Sequence, residues 1–308
     1  MKIVFMGNPE FAVPSLKKLV NSKHEVISVV TNPPKPAGRG RKLIQSPVAK
    51  CAQELKLKIT EVENLRDKET IRILQKLDAD IFVVVAYRIL PQDVISIPRK
   101  GAINLHGSLL PKYRGAAPIQ WSLINGDKET GLTTFIIEPK VDKGKILLQK
   151  KINIHLHDTY GSLYTNMSKL GAELLTETLD SFEKDILEDY SQDEDKATKA
   201  PKILKTMAVI DWKKSALEIH NLIRGLTPFP GGRTVFQGKT IKLFNTQLIQ
   251  EDSEFNEGEI SQVEKNSFAV QTGAGQVIIE EVQLEGKRRM KTSDFLLGVQ
   301  FIAGTELG

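Results

Sequence analysis

The sequence predicts an α/β protein in two parts: an N-terminal open sheet, largely parallel and wrapped by helices, and a smaller β-barrel unit after it. Three observations carry this reading. Residues 2–31 run strand, turn, helix, strand, the opening of a right-handed βαβ unit. Residues 81–86 form the most continuous apolar run of the chain, which is how a buried central strand of a parallel sheet reads. Beyond Pro230 the pattern changes to short β-rich runs separated by turn residues, the spacing of a small barrel.

Taken in order, residues 2–6 are apolar and β-branched, and Gly7-Asn8-Pro9 breaks them before a helix over 14–21 and a strand over 26–31. Only Gly7 stands in the first turn, where a dinucleotide fingerprint needs three spaced glycines, so a nicotinamide or flavin cofactor is not expected. The segment 32–47 carries Pro33, Pro34, Pro36, Gly38, Gly40 and Pro47 together with Lys35, Arg39, Arg41 and Lys42. That composition forbids a helix or a central strand. A basic loop that grips an anion and a plain surface excursion both fit it.

A helix over 46–56, a strand over 57–60 and a helix over 67–77 precede the central strand at 81–86, and further strands are expected at 102–106 and 132–137. In open α/β sheets ligands bind at the carboxyl ends of strands. The ends of 81–86, 102–106 and 132–137 are therefore expected to share one crevice, with Asn104, His106 and Asp142 on its rim. His155-Leu156-His157-Asp158 has the i, i+2 spacing of a metal pair but no third ligand, and reads as a strand end entering a helix capped by Asp158. In that helix Leu163, Met167, Leu170, Leu174, Leu175, Leu179, Phe182 and Ile186 form one apolar stripe. Residues 188–204 are polar and read as a linker, dividing the chain into 1–187 and 205–308. A helix over 212–226 and the β-rich runs 234–237, 240–244, 268–271 and 276–284 fill the second part.

The composition, 40% apolar and 26% charged, is that of an ordinary soluble protein. One cysteine, Cys51, excludes an internal disulfide and a Cys-rich zinc site. The first seven residues reach glycine too early for a signal peptide, and no run of about 18 apolar residues is present. A cytoplasmic protein is expected. The net charge of +5 is uneven: residues 1–50 hold nine Lys/Arg against two Glu, and 205–242 hold seven basic against two acidic residues. Such blocks suit either a polyanion footprint or solvated faces.

The stretch most open to chemistry is 101–121. Asn104 and His106, two apart in a strand, project from one face, while Ile103 and Leu105 point into packing. An amide donor beside a titratable imidazole is one outcome; a loop Asn and a satisfied surface His is the other.

From His106-Gly107-Ser108-Leu109-Leu110-Pro111 through Lys112-Tyr113-Arg114-Gly115-Ala116-Ala117-Pro118, this stretch resembles the signature of the 10-formyltetrahydrofolate-dependent formyltransferases. Pro36-Ala37-Gly38-Arg39-Gly40 with Ser46-Pro47-Val48 resembles the basic insertion loop of those members that act on methionyl-tRNA, and Ile210-Asp211-Trp212 resembles the start of their C-terminal domain. The resemblance covers essentially the whole chain. It implies a Rossmann-like formyltransferase domain over 1–187 and an OB-like tRNA-holding domain over 205–308. It also implies catalytic roles for Asn104, His106 and Asp142, folate contacts from Ser108, Leu109, Leu110 and Pro111, and tRNA contacts from Lys35, Arg39, Arg41 and Lys42. The implied reaction moves a formyl group from 10-formyltetrahydrofolate to the α-amine of methionyl-initiator tRNA, releasing tetrahydrofolate, in a monomer with no metal and no membrane association. The chain departs from the family pattern at Arg88, Lys140 and Lys143. A formyltransferase acting on a nucleotide-linked amino sugar is the alternative. A catalytically silent RNA-binding protein would leave Asn104, His106 and Asp142 without a purpose.

Overall fold

The structure is a computed structural model that describes every residue except Gly38, Arg39 and Arg41. The chain divides into two units: Met1–Gly115 with Thr130–Ile152 and Tyr164–Ala200, and Ala116–Glu129 with Asn153–Leu163 and Pro201–Gly308.

A seven-stranded sheet lies at the centre of the first unit, in the order Ile146–Asn153, Glu129–Ile136, Ala102–His106, Ile81–Val85, Lys2–Gly7, Glu25–Thr31, Ile59–Glu61. The five strands from Ala102–His106 to Ile59–Glu61 are parallel. Val4, Met6, Val30, Phe82, Val84 and Ala102 share one core with Leu65, Leu74 and Val94. On the opposite face Leu105 meets helix Tyr160–Glu183 at Gly171, where an added Cβ would stand 2.7 Å from its Cδ2. Both faces are thus covered, as continuous apolar strands demand. Helices start where the sequence supplies caps. Ser46 accepts from Ala49 N before Pro47–Glu54, and Asp67 accepts from Thr70 N before Lys68–Lys76.

Strand Glu129–Ile136 corrects the expected crevice. It runs antiparallel to Ala102–His106, with His106 opposite Thr133 and Ile103 opposite Ile136. Its carboxyl end therefore lies at the amino end of its neighbour, so the three strand ends do not line one rim. The reason sits in the connection before it. Helix Pro118–Ile124 packs on Ala216–Gly225 of the second unit, with Ile124 Cγ1 only 2.7 Å from where a Cβ on Gly225 would stand. Within the connection, that leaves no crossover helix to lay on the sheet.

Three smaller corrections concern helix ends. Tyr160–Glu183 is capped by Thr159, not Asp158: Thr159 Oγ1 accepts from Ser162 N at 3.2 Å and Ser162 Oγ accepts from Thr159 N at 3.0 Å. Asp158 instead accepts from the Ser162 hydroxyl and from His155 N. Ile186 falls beyond the helix and is exposed, while Leu163, Met167, Leu174, Leu175 and Leu179 are buried and Leu170 and Phe182 half-buried. The helix expected over 212–226 begins at Ala216, behind a capping box of Ser215 and Glu218, and Trp212 is buried in the core instead.

The second unit is built on a six-stranded antiparallel sheet, Gly232–Phe236, Lys239–Ile249, Gln276–Leu284, Phe268–Gln271 and Ile260–Val263 in order, with Met290–Lys291 pairing on Gln276–Leu284. Ile219 and Ile223 pack into its core with Ile241, Leu243, Phe268 and Ile279. In segment 32–47 two short strands, Lys35–Ala37 and Lys42–Ile44, pair antiparallel, the second of them exposed. Among the described residues no helix is long and apolar enough to cross a membrane.

Candidate active site

Asn104 and His106 lie on the face of strand Ala102–His106 that also carries Ala102, Asn104 half-buried and His106 buried. His106 Nε2 lies 2.9 Å from the Tyr113 carbonyl oxygen. A carbonyl only accepts, so Nε2 carries the proton. In the neutral ring Nδ1 is then a bare lone pair, and it faces Asp142 Oδ2 at 3.9 Å. That separation suits an ion pair once Nδ1 gains a proton. Phe135 packs an edge against the imidazole, the ring centroids 6.4 Å apart.

Asp142 arrives by a route that strand direction alone does not give. Connection 137–145 doubles back: Ile136 N donates to Lys145 O, and Gly144 passes so close to Ile136 that a Cβ there would stand 1.6 Å from the Ile136 carbonyl oxygen. Only glycine fits. Asp142 itself has φ 52°, a left-handed conformation that aspartate tolerates better than most residues. Its Oδ2 accepts from Gly115 N at 2.8 Å.

The segment Ser108 to Pro111 is fixed from below by strand Glu129–Ile136. Thr133 Oγ1 donates to Ser108 O at 2.7 Å and accepts from Leu110 N at 3.1 Å, and Gln149 Nε2 donates to both Thr133 Oγ1 and Leu110 O. The Ser108 hydroxyl donates to Lys112 O at 2.6 Å. Ser108 and Leu110 are buried, and Leu109 and Pro111 keep partial exposure.

Residues 190–200, inside the stretch read as a linker, are bonded throughout to the first unit. Ile146 and Tyr190 form a bridge, and the Tyr190 hydroxyl donates to Gln149 Oε1. Thr198 Oγ1 accepts from Tyr113 N at 2.8 Å, and Lys199–Ala200 pairs in parallel with Arg114–Gly115. Gln192 Nε2 donates to Asp142 O at 2.9 Å and to Gly144 O at 2.7 Å, while its Oε1 accepts from Arg114. Glu194 pairs with Arg114 and with Lys143, and the Arg114 guanidinium, then the Lys143 ammonium, pull its carboxyl down to about 2. Lys143, one of the unusual positions, is thereby engaged with Glu194, whereas Lys140 is exposed. Arg88, the third, donates to Val62 O, Glu63 O and the Tyr87 hydroxyl.

The structure thus sets His106 beside Asp142, Nδ1 3.9 Å from Oδ2, with Asn104 two residues back on the same strand face. Lys35 and Lys42 are exposed on the two short strands, and Arg39 and Arg41 lie outside the described residues. Sequence reasoning missed Tyr113, Gly115, Thr133, Gln149, Gln192 and Glu194, whose work is done by backbone atoms or by pairing across long sequence separations. Among the described residues no group of three or more His, Cys, Asp or Glu is placed to hold a metal ion.

A profile described as Formyl transferase matches residues 1–179, and one described as Formyl transferase, C-terminal domain, matches residues 202–300. The Methionyl-tRNA formyltransferase of Acetivibrio thermocellus is 42% identical over 310 residues, covering 100% of both chains. That of Geobacter sulfurreducens is 42% identical over 309 residues, covering 100% of this chain and 97% of its own. Among solved structures, the sugar 3N-formyl transferase WlaRD superposes with a TM-score of 0.70 at 24% identity, covering 94% of this chain and 99% of that one. The N-formyltransferase from Helicobacter canadensis gives 0.69 at 21% identity, covering 94% and 100%. At these identities the likeness to solved structures speaks for the fold.

Proposed function

The chain belongs to the formyl transferase family, and from that premise we propose that it transfers the formyl group of 10-formyltetrahydrofolate to the α-amine of methionyl-initiator tRNA, for translation initiation. The substrate class is supported by full-length relatives at 42% identity that bear the methionyl-tRNA name. The chemistry is supported by one observation above all: His106 donates an Nε2–H hydrogen bond to the Tyr113 carbonyl and turns a bare Nδ1 toward Asp142.

The amine nitrogen attacks the formyl carbon, a C–N bond forms, and the carbonyl oxygen becomes an oxyanion. Asn104 donates its amide to that oxygen. The amine then sheds a proton, which Nδ1 of His106 takes, and Asp142 steadies the resulting imidazolium. When the carbon–nitrogen bond to the folate breaks, the same proton passes to the departing nitrogen and tetrahydrofolate leaves. Ser108, Leu109, Leu110 and Pro111 hold the folate, and Lys35, Arg39, Arg41 and Lys42 grip the tRNA. In this reading the first unit, which takes in residues up to Ala200, is the catalytic domain, and 205–308 is the part that helps hold tRNA.

The test is a labelled formyl donor offered with charged initiator tRNA or with an amino-sugar nucleotide. Label on the methionyl-tRNA is expected, and label on the sugar alone would overturn the reading. Asn104→Ala is expected to lower kcat by roughly 10²–10³, the range for one lost oxyanion donor. Turnover near wild type would remove Asn104 from the mechanism.

A further inference from the structure

We propose that Gln192 is a positioning residue for this transfer, holding Asp142 in place at His106; the role rests on the formyl-transfer reading above. Two short backbone stretches orient the reacting groups. Residues 113–115 supply the carbonyl that fixes His106 and the N–H that holds Asp142 Oδ2, and residues 142–144 carry Asp142 itself. Gln192 is bonded to both. Its Nε2 donates to Asp142 O and Gly144 O, and its Oε1 accepts from Arg114 Nε at 3.0 Å and Nη2 at 2.7 Å.

The chemistry of the partners fixes which way the amide points. Guanidinium groups only donate and carbonyls only accept, so no flipped amide satisfies either side. Arg114 is held in turn. Its side chain is 9% exposed, Nη1 and Nη2 donate to the two oxygens of Glu194, and Lys143 donates to the same carboxylate at 2.6 Å. Asp142 sits at φ 52°, a conformation that L residues keep only where their surroundings hold it. Gln192 reaches the backbone on both sides of Lys143 and supplies that hold. Its place in the sequence, within a polar run read as a linker, gives no sign of this.

The test compares Gln192→Glu and Gln192→Ala with the wild type, each confirmed as folded by circular dichroism. The glutamate keeps the length and the acceptor face toward Arg114 but offers no N–H to the two carbonyls. Both variants are expected to lose roughly 10²-fold in kcat, the cost of misplacing a catalytic group by about 1 Å. KM for charged tRNA and for the formyl donor should stay within about twofold, since ligand-holding groups are untouched. The Gly115 amide, released by a loosened Asp142, should exchange its hydrogen faster. Lys196→Ala, on the same segment but paired with Asp193 on the exposed side, should behave as wild type. Wild-type kcat in either folded variant, or a rise in both KM values with kcat intact, would overturn the proposal. If the wild type itself transfers no formyl group to tRNA, the functional reading fails. The Gly115 exchange then decides the clamp alone: faster exchange supports it and unchanged exchange removes it.

Discussion

At the scale of single residues, the tautomer of His106 decides what the site can do. The Tyr113 carbonyl accepts a hydrogen bond from Nε2–H, so the ring has one free function, an unprotonated Nδ1 turned toward a carboxylate. Asp142 has two separable tasks there, a charge and a backbone conformation. Asparagine is well suited to the left-handed region, so Asp142→Asn should keep the loop and the Gly115 contact while removing the charge. Alanine removes the charge and adds roughly 1–2 kcal/mol of left-handed strain. Both variants are therefore expected to lose turnover, and only Asp142→Ala to lose stability by that amount, read from kcat beside denaturant unfolding. Full turnover in Asp142→Asn would take the charge out of the mechanism.

At the scale of elements, strand Glu129–Ile136 is the support beneath the candidate folate segment, and Thr133 is its working residue. Its buried hydroxyl joins Ser108 O, Leu110 N and Gln149 at once. Thr133→Val keeps the shape and strands these groups, at about 1–3 kcal/mol for a buried polar group left unpaired. Urea unfolding should show that loss, and KM for the formyl donor should rise as 108–111 loosens. An unchanged KM would separate this strand from ligand binding. The strand also marks the limit of what the sequence makes legible. Parallel strands such as Ile81–Val85 read clearly because burial on both faces leaves a continuous apolar run. So did the shared face of Asn104 and His106, since period two is a property of any strand. Strand direction was not legible, because it depends on helix Pro118–Ile124 choosing Ala216–Gly225 as its partner, a choice written in no local pattern. Residues 190–200 read as a linker for a similar reason. Their partners lie some 40 to 90 residues away, and a polar composition looks the same whether solvated or bonded.

At the scale of the whole molecule, each unit buries a histidine whose pKa burial lowers, His24 in the first and His220 in the second. In the first unit Glu194, bound to Arg114 and Lys143, stays ionised until the pH approaches about 2, so its clamp survives mild acid. His220 is buried, with Nε2 donating to Leu156 O at 3.2 Å and Nδ1 lying 2.7 Å from the Thr246 hydroxyl. Burial above all pushes its pKa below the ordinary 6.5; the Leu156 carbonyl pulls it back in part, and the Arg224 and His157 charges add smaller downward pushes. Arg224 cannot relieve this by moving, since it is buried and donates to Asn221 Oδ1, His155 O and Asp158 O. The sign follows from proton counting. Below pH 6.5 the unfolded chain protonates His220 while the folded unit resists, so stability is whole above 6.5 and falls as the pH drops toward the depressed folded value. Thermal unfolding of the intact chain between pH 8 and about 5 should therefore show the second unit weakening below 6.5. His220→Gln, which can donate to Leu156 O and accept from Thr246 without titrating, should flatten that slope. The same slope in variant and wild type would place the acid-sensitive group elsewhere.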